Sequence, residues 1–240
     1  MVCKAYSAHI KTTQVRKYTW LLFDLDNTIL DFGASSKAAF FDVLAKYELS
    51  QKDYDLYNGI NHAVWVEFEK GQMTQDTLKI ERWRRFGLER GLELDPTETN
   101  EAYFHHIRDN PIYVPGADLL IEDCLQEYQL AIITNGLSEV QESRLALTGL
   151  RDKIEHIIIS DQIGVAKPAE AFFQYTYKKI GEPLLEDVLV IGDTLTSDIR
   201  GGMDFGTDTC WYNYYGKENH TTYRPTYEVK NMKGLRDLLL

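Results

Sequence analysis

Two carboxylates stand directly after the first buried apolar run of the sequence. Asp24 and Asp26 lie in FDLDNT, two positions apart. Such a pair can divide the work of a nucleophile and a general acid or base, because the turn after the strand displaces the second carboxylate from the first. Asp26, Asn27 and Thr28 are also residue types that form a simple polar turn. The pair alone is suggestive, and three further segments decide between these interpretations.

The second and third segments supply groups that can hold phosphate oxygens. Thr134 and Asn135 end the run AIITNG, where a hydroxyl, an amide and backbone N–H groups are available. Lys167 stands in GVAKP, just before a predicted helix, where its ammonium balances the charge of two carboxylates and a phosphate dianion. Taken singly, a Thr-Asn-Gly turn is often a plain connection, and a lone lysine is usually solvated.

The fourth segment, VLVIGDTLTSD, adds two more carboxylates. Asp193 follows another buried apolar run, and Asp198 comes at the start of a predicted helix. Mg²⁺ favours oxygen ligands and keeps several waters, so carboxylates from two strand ends suit it better than they suit zinc. A helix cap at Asp198 and a turn residue at Asp193 are the structural alternative. We expect a Mg²⁺ site here.

A parallel sheet is needed to bring the four segments together. Short apolar runs, each followed by a polar or glycine-containing turn, predict buried parallel strands. These runs occupy residues 18–23, 129–134, 155–160 and 187–192. Helical patterns separate the later strands, at about 138–148, 169–180 and 197–204. This alternation predicts an α/β fold with a doubly wound, Rossmann-like parallel sheet, whose carboxyl ends form the ligand site.

A long insertion separates the first strand from the second. It shows helical patterns and no convincing strand, and Gly71, Gly91 and Pro96 divide it into about four helices. Pro111 marks the return to the sheet. We therefore predict an all-helical domain at residues 33–110, inserted into an α/β core formed by residues 1–32 and 111–240.

Composition limits the partners of the chain. The net charge of −11 over 240 residues disfavours nucleic acid polymers and anionic membranes. Three widely spaced cysteines without a CxxC pair argue against a disulfide framework and favour a reducing cytoplasm. The start of the chain lacks the apolar centre of a secretory signal, but it is basic and has no acidic residue, which leaves a transit peptide open. The choice between a monomer and a homodimer is also open.

The order of the four segments resembles the motifs of the haloacid dehalogenase superfamily over nearly the whole chain. The matching positions are Asp24-Leu-Asp26-Asn-Thr28, Thr134, Lys167, and Gly192-Asp193 through Asp198. The resemblance implies that Asp24 is the nucleophile and a metal ligand. It implies that Asp26 is the acid and base and a ligand through its backbone carbonyl. It implies that Asp193 is a further ligand of the metal. Asp198 would contact one of the ligands or reach the metal through a water.

The same resemblance implies which residues hold the phosphoryl group and what the insertion does. Thr134 and Lys167 would hold the phosphoryl oxygens, with Asn135 as a helper, and Lys167 would shield Asp24 from the incoming dianion. The helical insertion resembles the mobile cap of the superfamily, which closes while Asp24 attacks and opens to admit water. The implied activity is a Mg²⁺-dependent hydrolysis of small phosphomonoesters through an aspartyl phosphate.

A few residues indicate the class of substrate and disfavour some of the alternative activities. GDTLTSDIRGG followed by DTCWYN resembles a nucleotidase subgroup that acts on pyrimidine nucleotides, which implies a nucleoside 5′-monophosphate. A sugar-phosphate phosphatase and a phosphomutase are the alternatives. A 2-haloacid dehalogenase is disfavoured by Asp26, which dehalogenases of this fold lack. A non-catalytic protein that keeps the fold is disfavoured because none of the motif residues is missing.

The inserted helices contain candidates for substrate recognition. Trp65, Trp83 and Arg85 are of types that stack on a base or bind its polar edge. We nevertheless expect the arginines at 82, 84, 85 and 90 to form mainly a solvated helix face. The aromatic side chains, Phe68 included, are expected to pack mainly inside the insertion.

Overall fold

The structure is a computed structural model, and it describes residues 18–240. The basic start of the chain, with its open question of a transit peptide, lies outside the described residues. Within residues 18–240, no helix combines the length and the apolar character needed to cross a bilayer. Cys124 and Cys210 are buried free thiols.

The centre of the molecule is a parallel sheet of six strands. The strands are β1 (Trp20–Asp24), β2 (Gln129–Thr134), β3 (His156–Ile159), β4 (Val188–Gly192), β5 (Asp208–Tyr212) and β6 (Tyr227–Val229). Their order in the sheet is β3-β2-β1-β4-β5-β6, with every neighbouring pair parallel. The chain winds outward from β1 in both directions, so β1 lies at the switch point where doubly wound sheets bind ligands. The predicted fold class is confirmed.

The four predicted strands agree with the observed ones to within two residues. They were recognisable because both faces of the sheet are covered, which makes each strand a continuous apolar run. Leu21 and Phe23 pack on one face, whereas Trp20 and Leu22 pack on the other. β5 and β6 were not predicted.

Four helices fill the insertion between β1 and β2. They are α1 (Phe32–Val43), α2 (Gln51–Glu69), α3 (Gln75–Arg90) and α4 (Pro96–Asp109). Gly91 ends α3 in the left-handed region at φ 63°, and the Asp95 side chain caps α4 by accepting from two backbone N–H groups. The helices enclose an aromatic core of their own around Phe40, Tyr57 and Trp83.

The remaining helices precede or connect strands of the sheet, except the final helix, which follows the last strand. They are α5 (Ala117–Leu125), α6 (Ser138–Leu147), α7 (Leu150–Lys153), α8 (Ser160–Ile163), α9 (Glu170–Lys179), α10 (Arg200–Phe205) and α11 (Met232–Leu239). A short 3₁₀ turn at Leu185–Asp187 precedes β4.

The helix predicted at 197–204 is wrong in its first part. A π-helical turn spans Leu195–Ile199, and α10 begins only at Arg200. Within this turn, the Thr194 backbone N–H donates to Asp198 Oδ2 at 3.1 Å. The wide turn thus holds the Asp198 carboxylate close to the end of β4. Such turns are frequent at functional sites.

Candidate active site

Asp24 is the last residue of the central strand, and its side chain is nearly buried. Its Oδ1 accepts a hydrogen bond from Lys167 Nζ at 2.7 Å. Its Oδ2 accepts one from Thr28 Oγ1 at 3.2 Å. Thr28 and Asp26 both follow the strand in the sequence motif, but they differ in their contacts. The Thr28 side chain donates to Asp24, whereas the Asp26 side chain has other partners.

Lys167 is a buried cation that joins three parts of the site. Its ammonium donates to Asp24 Oδ1, to Asp198 Oδ1 at 2.6 Å and to the Ile133 carbonyl at 2.8 Å. All three N–H donors of the ammonium therefore have acceptors. Burial acts against the charge, but the carboxylates of Asp198 and Asp24 outweigh it and raise the pKa of Lys167 above its ordinary value. The side chain is a permanent cation at neutral pH.

Asn135 fixes the backbone of Lys167. The Asn135 Nδ2 donates to the Lys167 carbonyl at 2.9 Å, and the Lys167 backbone N–H donates to Asn135 Oδ1 at 2.9 Å. This pair of bonds ties the end of β2 to the loop that carries the lysine. The amide expected to help with phosphate thus has a positioning contact in the structure.

Three carboxylates form a tight cluster at the strand ends. Asp24, Asp193 and Asp198 each offer an oxygen within 4.8 Å of the others. Burial and then the neighbouring carboxylates, opposed by Lys167, raise the pKa of Asp24 well above its ordinary value. Burial, and next the charge of Asp198, raises the pKa of Asp193 to about 6. Three acidic groups share one ammonium, so the cluster carries excess negative charge and hard oxygen donors, which fits a divalent cation.

Gly192 leaves room for this cluster. A Cβ atom at this position would lie 2.4 Å from Asp198 Cγ, which is far inside van der Waals contact. The glycine before Asp193 is therefore required for the packing of Asp198 against the end of β4.

The Asp26 carboxylate belongs to a second network. Arg144 Nη1 donates to Asp26 Oδ1 at 2.6 Å, and Gln141 Nε2 donates to Asp26 Oδ2 at 2.6 Å. Gln141 Nε2 also donates to Thr134 Oγ1 at 2.8 Å. Both donors lie on α6 and are fully buried. Two side chains of α6 thus hold the Asp26 carboxylate, which is not one of the three carboxylates of the cluster.

Gln141 and Arg144 were missed by the sequence analysis. Their signal was a three-residue spacing on the helix that follows the TNG turn, which puts both on the face turned to the strand end. Polar residues at that spacing are equally typical of a solvated helix surface. Only their complete burial separates the two cases.

All seven predicted site residues line one cavity of about 270 Å³. They are Asp24, Asp26, Thr134, Asn135, Lys167, Asp193 and Asp198. The inserted helices also line the cavity, through Trp65 of α2, Arg82 of α3 and Phe104 of α4. The cavity therefore joins the strand ends to the insertion.

The three residues of the insertion that were candidates for substrate recognition have different environments in the structure. Trp65 lines the cavity, whereas Trp83 is fully buried and stacks on Tyr57 with ring centroids 4.5 Å apart. Arg85 is engaged by Glu67 and Glu81. The expectation that Arg82 is solvated is wrong, because its side chain is buried between α2, α3 and α4.

Comparison with known proteins identifies a family and several relatives. The family described as haloacid dehalogenase-like hydrolase matches residues 21–212. Pyrimidine 5′-nucleotidase YjjG of Escherichia coli is 33% identical, covering 93% of this chain and 98% of its own. Pyrimidine 5′-nucleotidase PynA of Streptococcus pneumoniae is 35% identical, covering 92% and 95%. The magnesium-bound crystal structure of the HAD-hydrolase YfnB of Bacillus subtilis superposes with a TM-score of 0.87 at 35% identity, covering 93% and 99%.

The acidic cluster predicts a pH-dependent stabilisation by Mg²⁺. The folded-state pKa of Asp193 is about 6, above the value of about 3.9 in an unfolded chain, so the metal-free protein loses stability from this group as the pH rises between those values. A divalent cation held by the ionised cluster would offset that loss at neutral pH, whereas protons would compete with it in acid. We expect an increase in Tm of roughly 5–10 °C at Mg²⁺ about 100-fold above its Kd near pH 7.5.

The measurement is a thermal unfolding scan with and without Mg²⁺ near pH 7.5 and near pH 5. The increase in Tm should be clearly smaller at the lower pH. In the Asp193→Asn variant, the increase should shrink at both pH values. An equal increase at the two pH values, or none at either, would contradict a metal site built from these carboxylates.

Proposed function

This chain belongs to the haloacid dehalogenase-like hydrolase family, and from that premise we propose that it hydrolyses nucleoside 5′-monophosphates through a phosphorylated Asp24. The observation that carries the proposal is the contact of a buried carboxylate at the switch point with a buried lysine, beside two further carboxylates. A carboxylate held in this way can attack an electrophile. The acid that protonates the leaving group must then come from another residue. The phosphate of a small ester is the electrophile that this charge arrangement suits.

In the proposed first step, an oxygen of Asp24 attacks phosphorus while the bond from phosphorus to the ester oxygen breaks. Asp26 gives its proton to the departing oxygen. In the second step, Asp26 removes a proton from water, the water oxygen attacks phosphorus, and Asp24 leaves as a carboxylate. Throughout, Lys167 holds Asp24 Oδ1 and reduces its repulsion of the anionic phosphoryl group.

Thr134 is a suitable donor to a phosphoryl oxygen. Its Oγ1 already accepts from the Gly136 backbone N–H at 3.1 Å and from Gln141 Nε2 at 2.8 Å. With its acceptor sites occupied, the hydroxyl has its own proton left to donate into the cavity. We therefore propose that Thr134 donates to a phosphoryl oxygen and that Asn135 positions the lysine. Lys167 keeps its contact with Asp24 and exchanges one of its two other acceptors, Asp198 or the Ile133 carbonyl, for a phosphoryl oxygen.

The cation that fits the acidic cluster is Mg²⁺. We propose that the side chains of Asp24 and Asp193 and the backbone carbonyl of Asp26 hold it, with Asp198 acting through a water. When bound, it supplies positive charge to the transferring phosphoryl oxygens. Asp198 accepts from Lys167 and from the Thr194 backbone N–H, which fix its carboxylate beside the proposed ligands.

The domain division and the setting are part of the proposal. We propose that residues 33–110 act as a cap over a core of residues 1–32 and 111–240, because α2, α3 and α4 line the cavity together with the strand ends. Closure excludes water during attack on phosphorus, and opening admits it. We propose a cytoplasmic setting, in which buried free thiols such as those of Cys124 and Cys210 stay reduced.

A nucleotide is the preferred substrate class for two reasons. Two relatives that match nearly the whole chain at 33% and 35% identity are named pyrimidine 5′-nucleotidases. The aromatic side chains Trp65 and Phe104 of the insertion also line the cavity, and their rings are suited to stacking on a base. Relatives at 28% and 31% identity are named for sugar and triose phosphates, so sugar phosphates remain the comparison substrates.

The role of Asp26 predicts a defect that depends on the leaving group. Asp26→Asn should lower kcat on a nucleotide by about 10²- to 10⁴-fold, because the poor alkoxide leaving group needs a proton. The first step on 4-nitrophenyl phosphate needs no acid, so a burst of nitrophenol should survive in the variant. Rapid-mixing kinetics measure both. An equal loss of the first step on both substrates would contradict the assignment, and a thermal scan checks that Arg144 tolerates the change.

The substrate class is tested by a panel assayed for phosphate release at equal low concentration. We expect pyrimidine nucleoside 5′-monophosphates to have the highest kcat/KM, by about tenfold or more over hexose and triose phosphates. Phosphoamino acids serve as a further comparison. Sugar phosphates exceeding every nucleotide by tenfold would overturn the nucleotide assignment while leaving the phosphatase chemistry intact.

A further inference from the structure

Three buried cationic side chains line the cavity, and one of them differs from the others. Lys167 contacts Asp24 and Asp198, and Arg144 contacts Asp26. Arg82 has no carboxylate within 4.0 Å among the side chains of the described part of the chain. Its guanidinium instead donates to two neutral amides, Asn61 Oδ1 at 3.2 Å and Asn100 Oδ1 at 2.6 Å.

Burial of the Arg82 guanidinium without a carboxylate partner is unfavourable for the stability of the free protein. Arg82 is 1% exposed, and its Nε has no hydrogen-bond partner among the described residues. An arginine stays protonated in proteins, so burial cannot be relieved by loss of its proton. A buried charge without a counter-charge generally destabilises a fold. Among the described residues, neutral amides and aromatic rings are the groups that meet this charge, so its remaining donor capacity is left for a ligand in the cavity.

The neighbours of Arg82 limit what that ligand is. The guanidinium lies over the ring of Phe104, 4.6 Å from its centroid, and over that of Tyr103 at 5.3 Å. Phe104 and Trp65 line the same cavity. Aromatic faces carry negative potential, which favours a stacked neutral ring over a second phosphate dianion. The hydrogen-bond donors of arginine call for an acceptor oxygen on that ring.

We propose that Arg82 is the residue that recognises the leaving group, by donating to a carbonyl oxygen of a pyrimidine base that stacks against Trp65 or Phe104. The inference rests on the proposed nucleotidase function and deepens it. The strand ends bind the phosphate, and α3 selects the base within the same cavity. Arg82 then contributes to the choice of substrate, and it contributes nothing to the bonds that form and break.

The test compares two substrates with the same reacting atoms. Uridine 5′-monophosphate and ribose 5-phosphate both release a ribose 5′-oxygen, but only the first has a base. Arg82→Met removes the charge while keeping most of the volume. It should lower kcat/KM for uridine 5′-monophosphate by about 10- to 100-fold, the range for hydrogen bonds to a charged group. For ribose 5-phosphate, the change should stay within about twofold.

Arg84→Met is the matched control on the same helix. Arg84 is half exposed and pairs with Glu81, so this variant should keep both activities. A thermal unfolding scan checks that Arg82→Met folds, because the variant loses a buried charge but also leaves the side-chain oxygens of Asn61 and Asn100 without this donor. If Arg82→Met does not fold, Arg82→Lys replaces it. Arg82→Lys keeps the charge, loses the planar fork, and should lower the ratio of the two kcat/KM values by a smaller factor.

The outcomes separate this inference from the function it rests on. An unaltered protein that hydrolyses ribose 5-phosphate as well as uridine 5′-monophosphate would overturn both. A preference for the nucleotide that survives in Arg82→Met would overturn only the role of Arg82. An equal loss on both substrates would make Arg82 structural, and a loss confined to a sugar bisphosphate would assign it to a second phosphate instead of a base.

Discussion

The buried ammonium of Lys167 is the interaction on which the site depends. It connects the end of β1 through Asp24, the end of β2 through the Ile133 carbonyl, and the turn after β4 through Asp198. Without it, three carboxylates within 4.8 Å would repel one another in a nearly dry environment. Several local features serve this contact. Asn135 fixes the lysine backbone, Gly192 leaves space for Asp198, and the π-helical turn holds that side chain in place.

The molecule separates chemistry from recognition in space. The strand ends supply carboxylates and the lysine, all of them anchored to a sheet buried on both faces. The inserted helices supply Trp65, Arg82 and Phe104, which face the same cavity from α2, α3 and α4. Under the proposed function, the strand ends carry out the reaction and the helical insertion selects the substrate. The relatives named for nucleotides and for sugar or triose phosphates agree with that division.

The sequence predicted the sheet and the residues around the strand ends because parallel strands bring their carboxyl ends to one edge. Polar residues that follow continuous apolar runs must then meet, and the seven residues predicted in this way do line one cavity. Gln141, Arg144 and Arg82 escaped prediction for the opposite reason. They lie on helices, where a charged residue is normally solvated, and only the packing of one helix on another buries them. β6 has three residues, and each of them is half-exposed or exposed. It therefore has no continuous apolar run by which it could be predicted.

The central claim is that Asp24, held by Lys167, carries the phosphoryl group. The most direct measurement is to quench the enzyme during turnover of a nucleoside 5′-monophosphate, reduce the acyl phosphate with borohydride, and locate the modified residue by peptide mass spectrometry. Borohydride converts a phosphorylated aspartate into homoserine, so the account predicts homoserine at position 24 and nowhere else. The Asp24→Asn variant treated in the same way should give no modification. Homoserine at another aspartate, or modification of the Asp24→Asn variant at the level of the unaltered protein, would contradict the account.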